Sequence, residues 1–263
     1  MSSIFGTAPS TSGANAYVNK LRNNQVVRLA AGILGSKFVP TDGDLWDKLI
    51  AAEADCARRL CVLLKPTTVF ALEPSVADLA TVPTGQDYVE EGPYDYDPSV
   101  WNVEDWGFTI LRRTPVISVQ KVFFQYPSPV AGIFNVPLDW LRLDKKAGQV
   151  QFLPSASGLQ VAPLQGFMLS MLSGGRNIPQ MMHIQYTAGL KDVFNDYPDL
   201  IDVIFKMAAL RMVEDAFLPQ SGSISADGLS QSLSIDVDKY EATIEGKLDT
   251  LLQSLHGARM MIM

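Results

Sequence analysis

Apolar and polar positions follow different rhythms along the chain, and the changes of rhythm divide it. In "TDGDLWDKLIAAEADCARRLCVLL" (41–64), Leu45, Trp46, Leu49, Ile50, Ala54, Ala57, Leu60, Cys61 and Leu64 recur at helical spacing. Thr41 or Asp42 supplies an N-cap, and the early acids suit the positive end of the helix dipole, so a helix is predicted that closes by Pro66. From Trp106 the rhythm shortens. "WGFTILRR", "VISVQKVFFQY", "DWLRLD" and "QVQFLP" are rich in branched and aromatic residues with alternating polarity, the pattern of strands. The last two are joined by "KKAG", a hairpin loop with its glycine late, and "GFMLSML" and "MMHIQYTA" read as a further pair. After Gly189 and Pro198 the helical rhythm returns. Leu200, Ile201, Ile204, Met207, Ala208, Leu210 and Val213 give a wide apolar face, and Val237, Tyr240, Ile244, Leu248, Leu251, Leu252 and Leu255 give a last amphipathic helix capped by Asp236 or Asp238.

The segments between carry weaker signals. Residues 1–40 mix Ser, Gly, Asn and Ala with short apolar runs and read as an arm with one short helix. Residues 66–100 hold Pro66, Pro74, Pro83, Pro93 and Pro98 and read as loop with short extended pieces. "LPQSGSISADGLSQSLSI" reads as an uncharged polar linker, and the chain ends in the apolar "RMMIM". The fold class expected is α+β: a helical bundle from 41–103 and 189–255, a β insertion at 104–188, an N-terminal arm at 1–40 and a C-terminal tail at 256–263.

Composition narrows the function. Of 263 residues 47% are hydrophobic and 19% charged, enough to bury a core, and the formal net charge is −7. That balance argues against sequence-independent gripping of nucleic acid, which needs clustered Lys and Arg to displace counterions. No apolar run is long enough to span a bilayer, and "MSSIFGTAPSTSGANAY" lacks the basic start and apolar core of a signal peptide, so a soluble, non-secreted protein without a membrane partner is expected. Cys56 and Cys61 fall on different faces of their helix and read as reduced thiols.

Candidates for chemistry are few. His183 sits among Met181, Met182 and Ile184 and reads as a packed imidazole; His256 closes a helix, where a cation suits the dipole. Glu90, Glu91, Asp95 and Asp97 form the one carboxylate cluster, without the spacing of a calcium loop. "SGGRN" lacks the lysine and hydroxyl of a phosphate-binding loop. Arg58-Arg59, Arg112-Arg113 and Lys145-Lys146 are isolated basic pairs that read as solvated or salt-bridged. No catalytic, cofactor or metal residue is assigned, and no cofactor is expected. A small metal-dependent hydrolase, built on the acid cluster and a distant histidine, is the enzyme alternative.

The order of three stretches resembles the head-tail connector (adaptor, head-completion) proteins of tailed bacteriophages, in their gp6-like branch. "ILRRTPVISVQKVFF" carries Arg113, Pro115, Val116 and Val119; "DWLRLDKKAGQVQFLP" carries Trp140, Asp144, Gly148 and Val150; "HIQYTAGLKDVFNDYPDL" carries Tyr186, Ala188, Gly189 and Pro198. The likeness covers about residues 40 to 255. It implies a non-enzymatic virion protein of the neck that forms a homo-oligomeric ring, commonly of twelve copies, beneath the portal. The partners implied are the portal protein, a stopper or tail-completion protein, and genomic double-stranded DNA sliding through the lumen without specific binding. It places the protein in the virion neck, and in the host cytoplasm during assembly. On this reading Arg259, Met260, Met261, Ile262 and Met263 dock the portal, the turn at Lys145, Lys146 and Gly148 makes a contact, and Gly189 is a hinge. A tail terminator or baseplate component is the alternative within the virion, with more strand and less helix.

Overall fold

The structure, a computed structural model, describes residues 2–9, 15–35, 38–97, 108–125, 133–152, 177–217 and 229–256. They group into two units, a helical one from Ser2–Cys61 and Asp192–Ser254, and a β unit from Val62–Lys191 joined by Leu255 and His256. The long helices fall in the first and the strands in the second, and the fold is α+β.

In the helical unit, α1 (Ala16–Arg22) and α2 (Gln25–Leu34) occupy the segment expected to be an arm with one short helix. Asparagines start both: the side chain of Asn15 accepts from Tyr17 N and that of Asn24 from Val26 N, each at 2.9 Å. Phe5 is fully buried, edge-on to Tyr17 and Phe205, and Glu53 accepts from Ser3 Oγ and Ile4 N. The docking is long-range and aromatic, so a local rhythm does not announce it.

Helix α3 (Asp42–Leu60) begins with a capping box in which Thr41 and Asp44 satisfy each other's backbone N–H, and it buries Leu45, Leu49, Ala52, Cys56 and Leu60. It stops at Cys61, not at Pro66. Cys61 adopts the left-handed conformation at φ 53° and returns its N–H to Ala57 O and Arg58 O, which releases Val62, Leu63 and Leu64 into the β unit, where they are buried. After the short α5 (Val193–Asp196), α6 (Pro198–Phe217) buries Leu200, Val203, Ile204, Ala208 and Met212 among others, on nearly every side, as the central helix of its unit does. Helix α7 (Leu229–His256) buries Ile244, Leu248, Leu251 and Leu255 as a stripe. It starts seven residues before Asp236, the earlier of the two expected caps. Ser and Gln are tolerable helix residues once later turns have nucleated the helix, so "LSQSLSI" extends it; 218–228, the rest of the expected linker, lie outside the described residues.

The β unit holds β1 (Thr67–Phe70), α4 (Val76–Leu79), β2 (Asp87–Glu90), β3 (Tyr94–Tyr96), β4 (Phe108–Ile110), β5 (Val116–Gln125), β6 (Ile133–Asn135), a 3-10 turn (Leu138–Trp140), β7 (Leu141–Asp144), β8 (Gln149–Phe152) and β9 (Ile178–Ala188). The larger sheet runs β2-β1-β9-β5-β6, with β3 also on β9; only β1 and β2 pair in parallel. The smaller sheet is β4-β8-β7, all antiparallel. One apolar cluster draws on both, with Val69, Val122, Ile184 and Tyr186 from the larger and Val150, Leu111 and Trp140 from the smaller sheet and its flanks. Strand pairing therefore begins at Thr67, well before Trp106. β1 is buried throughout and shows no alternation, which is why its rhythm gave no strand. The strand expected at "GFMLSML" lies outside the described residues.

Candidate functional site

The basic pair ahead of β5 organises a polar knot. Glu91 follows β2, anchored by its N–H to Phe70 O at 2.8 Å, and its carboxylate is only 10% exposed. Tyr94 Oη donates to Glu91 Oε1 at 2.5 Å and Tyr186 Oη to Oε2 at 3.2 Å. The same two phenols accept from the backbone N–H groups of Arg112 (3.1 Å) and Arg113 (3.2 Å). Both guanidiniums lie beside the carboxylate, at 3.5 and 3.9 Å, and Arg112 also covers the Tyr94 ring at 4.4 Å and donates to Gly92 O and Pro93 O. Among the described residues no buried side-chain polar atom of the knot lacks a partner, the condition under which a buried carboxylate is tolerated.

The chemistry this allows is limited. Burial, assisted by Glu91, pushes the Tyr94 phenol far above its ordinary range, and burial with the neighbouring Tyr94 does the same to Tyr186. Both remain protonated donors at neutral pH, so neither phenol serves as a base, and the knot clamps "LRRTP" to β9. Of the remaining acids of the sequence cluster, Glu90 ends β2 and Asp95 accepts from Gln180 N at 2.9 Å. Among the described residues no group of three or more His, Cys, Asp and Glu could hold a metal.

Two glycines close the same region. Thr114-Pro115 is a cis peptide, and Pro115 O accepts from Gly189 N at 2.9 Å. Gly189 has φ +116°, and a Cβ there would strike the Lys65 carbonyl and lie 2.9 Å from Leu63 O. What the structure supplies for Gly189 is a steric need for glycine two residues before the units change over. Gly148 has φ +67°, and a Cβ on it would meet Thr114 Cγ2 at 2.5 Å. Its carbonyl accepts from Leu111 N, and Lys145 O accepts from Val116 N at 2.7 Å, so the hairpin is tied back to the knot by its backbone. Lys145 and Lys146 are exposed at the turn, where Asp144 Oδ1 accepts from Lys146 N and Ala147 N. His256 is buried rather than merely placed at a helix end, with Nδ1 3.4 Å from Thr114 Oγ1. His183 is buried and stacks on Phe123. Both cysteines are free; burial pushes the Cys56 thiol up to about 12. Arg259 to Met263 lie outside the described residues.

Thus Arg113, Pro115, Gly148, Tyr186 and Gly189, scattered over 77 positions of sequence, meet in one place. Sequence reading missed Tyr94 and Glu91 as members, because nothing in their spacing points to Tyr186 or to the arginine pair. Among the described residues no helix is long and apolar enough to cross a membrane.

Neither a family model nor a curated protein sequence matches the chain. Among solved structures, it is similar to a chain of a structure described as "Neck of empty GTA particle computed with C6 symmetry", at 16% identity over 78% of this chain and 83% of that one, with a TM-score of 0.37. That likeness is too loose to carry an argument about this chain.

Proposed function

We propose that the chain is a structural protein of a virion neck: a head-tail connector (adaptor) that forms a ring under the portal, extends the DNA channel and carries the next neck component. The observation that supports it is the knot. The resemblance to connectors rests on turn residues that are individually unspecific, and five of them, Arg113, Pro115, Gly148, Tyr186 and Gly189, gather in one place in this fold, which supports reading them as one fold signature. Charge supports it as well. The helical unit carries 17 acidic and 11 basic residues, a net of −6, and a wall of that sign repels phosphates and lets DNA slide. On this reading the ring has the family's usual twelve copies, Arg259 to Met263 dock the portal, the turn at Lys145, Lys146 and Gly148 makes a contact, and Gly189 is a hinge. The protein works in the virion and is assembled in the host cytoplasm.

Co-expression with the portal protein of the same phage, followed by single-particle electron microscopy, tests the reading. A second ring stacked on the portal is the expected outcome; a bare portal beside free monomer would overturn it.

A further inference from the structure

The two faces of the larger sheet differ in kind. Val69, Tyr186 and Val119 are register partners on the core face. One step along, Thr68, Thr187 and Ser118 are partners across the same three strands, followed by Gln185 opposite Lys121. A bulge between Val119 and Lys121 brings Gln120 onto this polar row, where its amide donates to Thr187 Oγ1 at 2.5 Å and to Ser118 Oγ at 3.2 Å. The segment around α4 leaves the row half covered: Gln86 Nε2 donates to Thr68 Oγ1 at 2.9 Å, and between segment and sheet lies an open-sided groove of about 600 Å³. That volume is within the range of ligand sites, roughly 300 to 1,000 Å³.

The charges in the groove are unequal. Its one carboxylate, Asp78, is committed to the cap of α4, accepting from Ser75 Oγ at 2.6 Å and Ser75 N at 3.0 Å, and those bonds hold its pKa down. Lys121 and Lys191 also line it; Lys121 Nζ lies 4.8 Å from the centre of the Phe123 ring and its charge helps to hold Asp78 down, but neither lysine forms an ion pair among the described residues, although the chain as a whole is acidic. The Gln185 side chain makes no hydrogen bond among the described residues either. The Gln185 amide and the exposed Ser118 hydroxyl match the N–H and C=O of an extended main chain, and the exposed ammonium groups of Lys121 and Lys191, neither in an ion pair among the described residues, match carboxylates on it.

We propose that this groove is a docking site for an extended acidic segment of a protein partner, its backbone paired with Gln185 and Ser118 and its carboxylates with Lys121 and Lys191. The site stands independently of the neck reading. Its volume accepts a few extended residues and excludes a nucleic-acid duplex.

The probe is dye-labelled hexaglutamate, with hexaglutamine as its uncharged control, followed by fluorescence anisotropy on the full chain at low salt. Hexaglutamate is expected to bind about tenfold more tightly than hexaglutamine, since two solvated charge pairs at low salt supply up to about that factor. The double variant Lys121→Gln/Lys191→Gln should abolish that preference, and Lys145→Gln/Lys146→Gln, which removes the same charge at the hairpin, should preserve it. Equal loss in both variants would reduce the effect to diffuse charge and overturn the site, as would hexaglutamine binding equally well. Because the readout is peptide binding by the free chain, a negative result leaves the portal experiment untouched, and a bare portal leaves this site untouched.

Discussion

The helical unit spreads its stabilisation along three long helices, where Leu45, Leu49, Ile204, Leu248 and Leu251 each bury a side chain worth about 1.5–3 kcal/mol. Its ion pairs are similarly dispersed: Arg59 with Glu245, Lys48 with Asp215, Arg211 with Asp55, Lys247 with Asp202, all at least partly solvated and individually worth little. The β unit has an apolar core too, but its loops close on a handful of atoms, namely the Glu91 carboxylate, two phenols and two glycines pressed against backbone. Charge divides the same way, with a net of −6 on the helical unit and −1, from ten basic and eleven acidic residues, on the β unit. A repetitive core tolerates the loss of any one contributor, whereas a knot fails at its tightest point. The β unit should therefore be the more brittle of the two.

The largest effect is expected from Gly189→Ala. A methyl group there meets two backbone carbonyls that cannot rotate away, on a φ that L residues avoid, and a cost of roughly 3–5 kcal/mol follows. Hydrogen exchange should show the amides of β1 and β9 losing protection while those of α6 keep theirs. Equal loss in both units would dissolve the contrast between them.

Which parts of this were legible beforehand follows from where the information resides. α3, α6 and the C-terminal half of α7 are written in local periodicity, and Thr41 marks its own cap. β5, β7 and β8 are written in alternation, whereas β9 is buried over most of its length. β1 was hidden by being buried on both faces, α1 and α2 by being short and anchored through Phe5, and the first turns of α7 by their serines. The knot is a different case. Arg113, Pro115, Gly148, Tyr186 and Gly189 each carry a local signal, but in separate stretches; their meeting is a tertiary fact, and along the chain Glu91 stands among acids it does not work with.

Next in size is Tyr186→Phe, which removes one hydroxyl and strands two partners, the Glu91 carboxylate and the Arg113 N–H. Leaving buried polar groups unpaired costs about 1–3 kcal/mol, so urea titration should give a midpoint well below that of the parent chain. Tyr94→Phe should cost a similar amount and the double variant less than the sum, because both hydroxyls serve one carboxylate. Full additivity would mean that the two phenols act separately and that there is no knot.

Acid should find the β unit first. Burial holds the His183 imidazole below its ordinary pKa, against the pull of backbone groups of Ala71 and Gln125, and Nδ1 has no hydrogen-bond partner among the described residues. A base whose folded pKa is lowered is protonated more readily in the unfolded chain, so its contribution is intact above the unfolded value of about 6.5 and declines as pH falls below it. In the helical unit, burial works to raise the pKa of Asp202, but Lys247 and Lys206 outweigh it and leave it lowered, so that contribution persists until pH falls below about 4. Between pH 7 and 5 the protection of β9 should decline and that of α7 should hold. His183→Gln should flatten the β9 profile; an unchanged slope would assign the acid sensitivity elsewhere.

The smallest effect runs in the opposite direction. Gly246 sits inside α7, at an exposed position where an added Cβ meets nothing within 4 Å and φ is helical. Alanine there reduces the freedom of the unfolded chain without touching the folded one, and a gain of about 0.5–1 kcal/mol is expected. The substitution is chemically the same as at Gly189 and differs only in surroundings: one glycine is spacing required by two carbonyls, the other is slack in a helix. A rise in melting temperature for Gly246→Ala alongside collapse for Gly189→Ala would measure, with one methyl group, how differently the two units are built. A loss at Gly246 instead would mean that the exposed face of α7 is covered by something the isolated chain does not show, and a second copy in the proposed ring would be the first candidate.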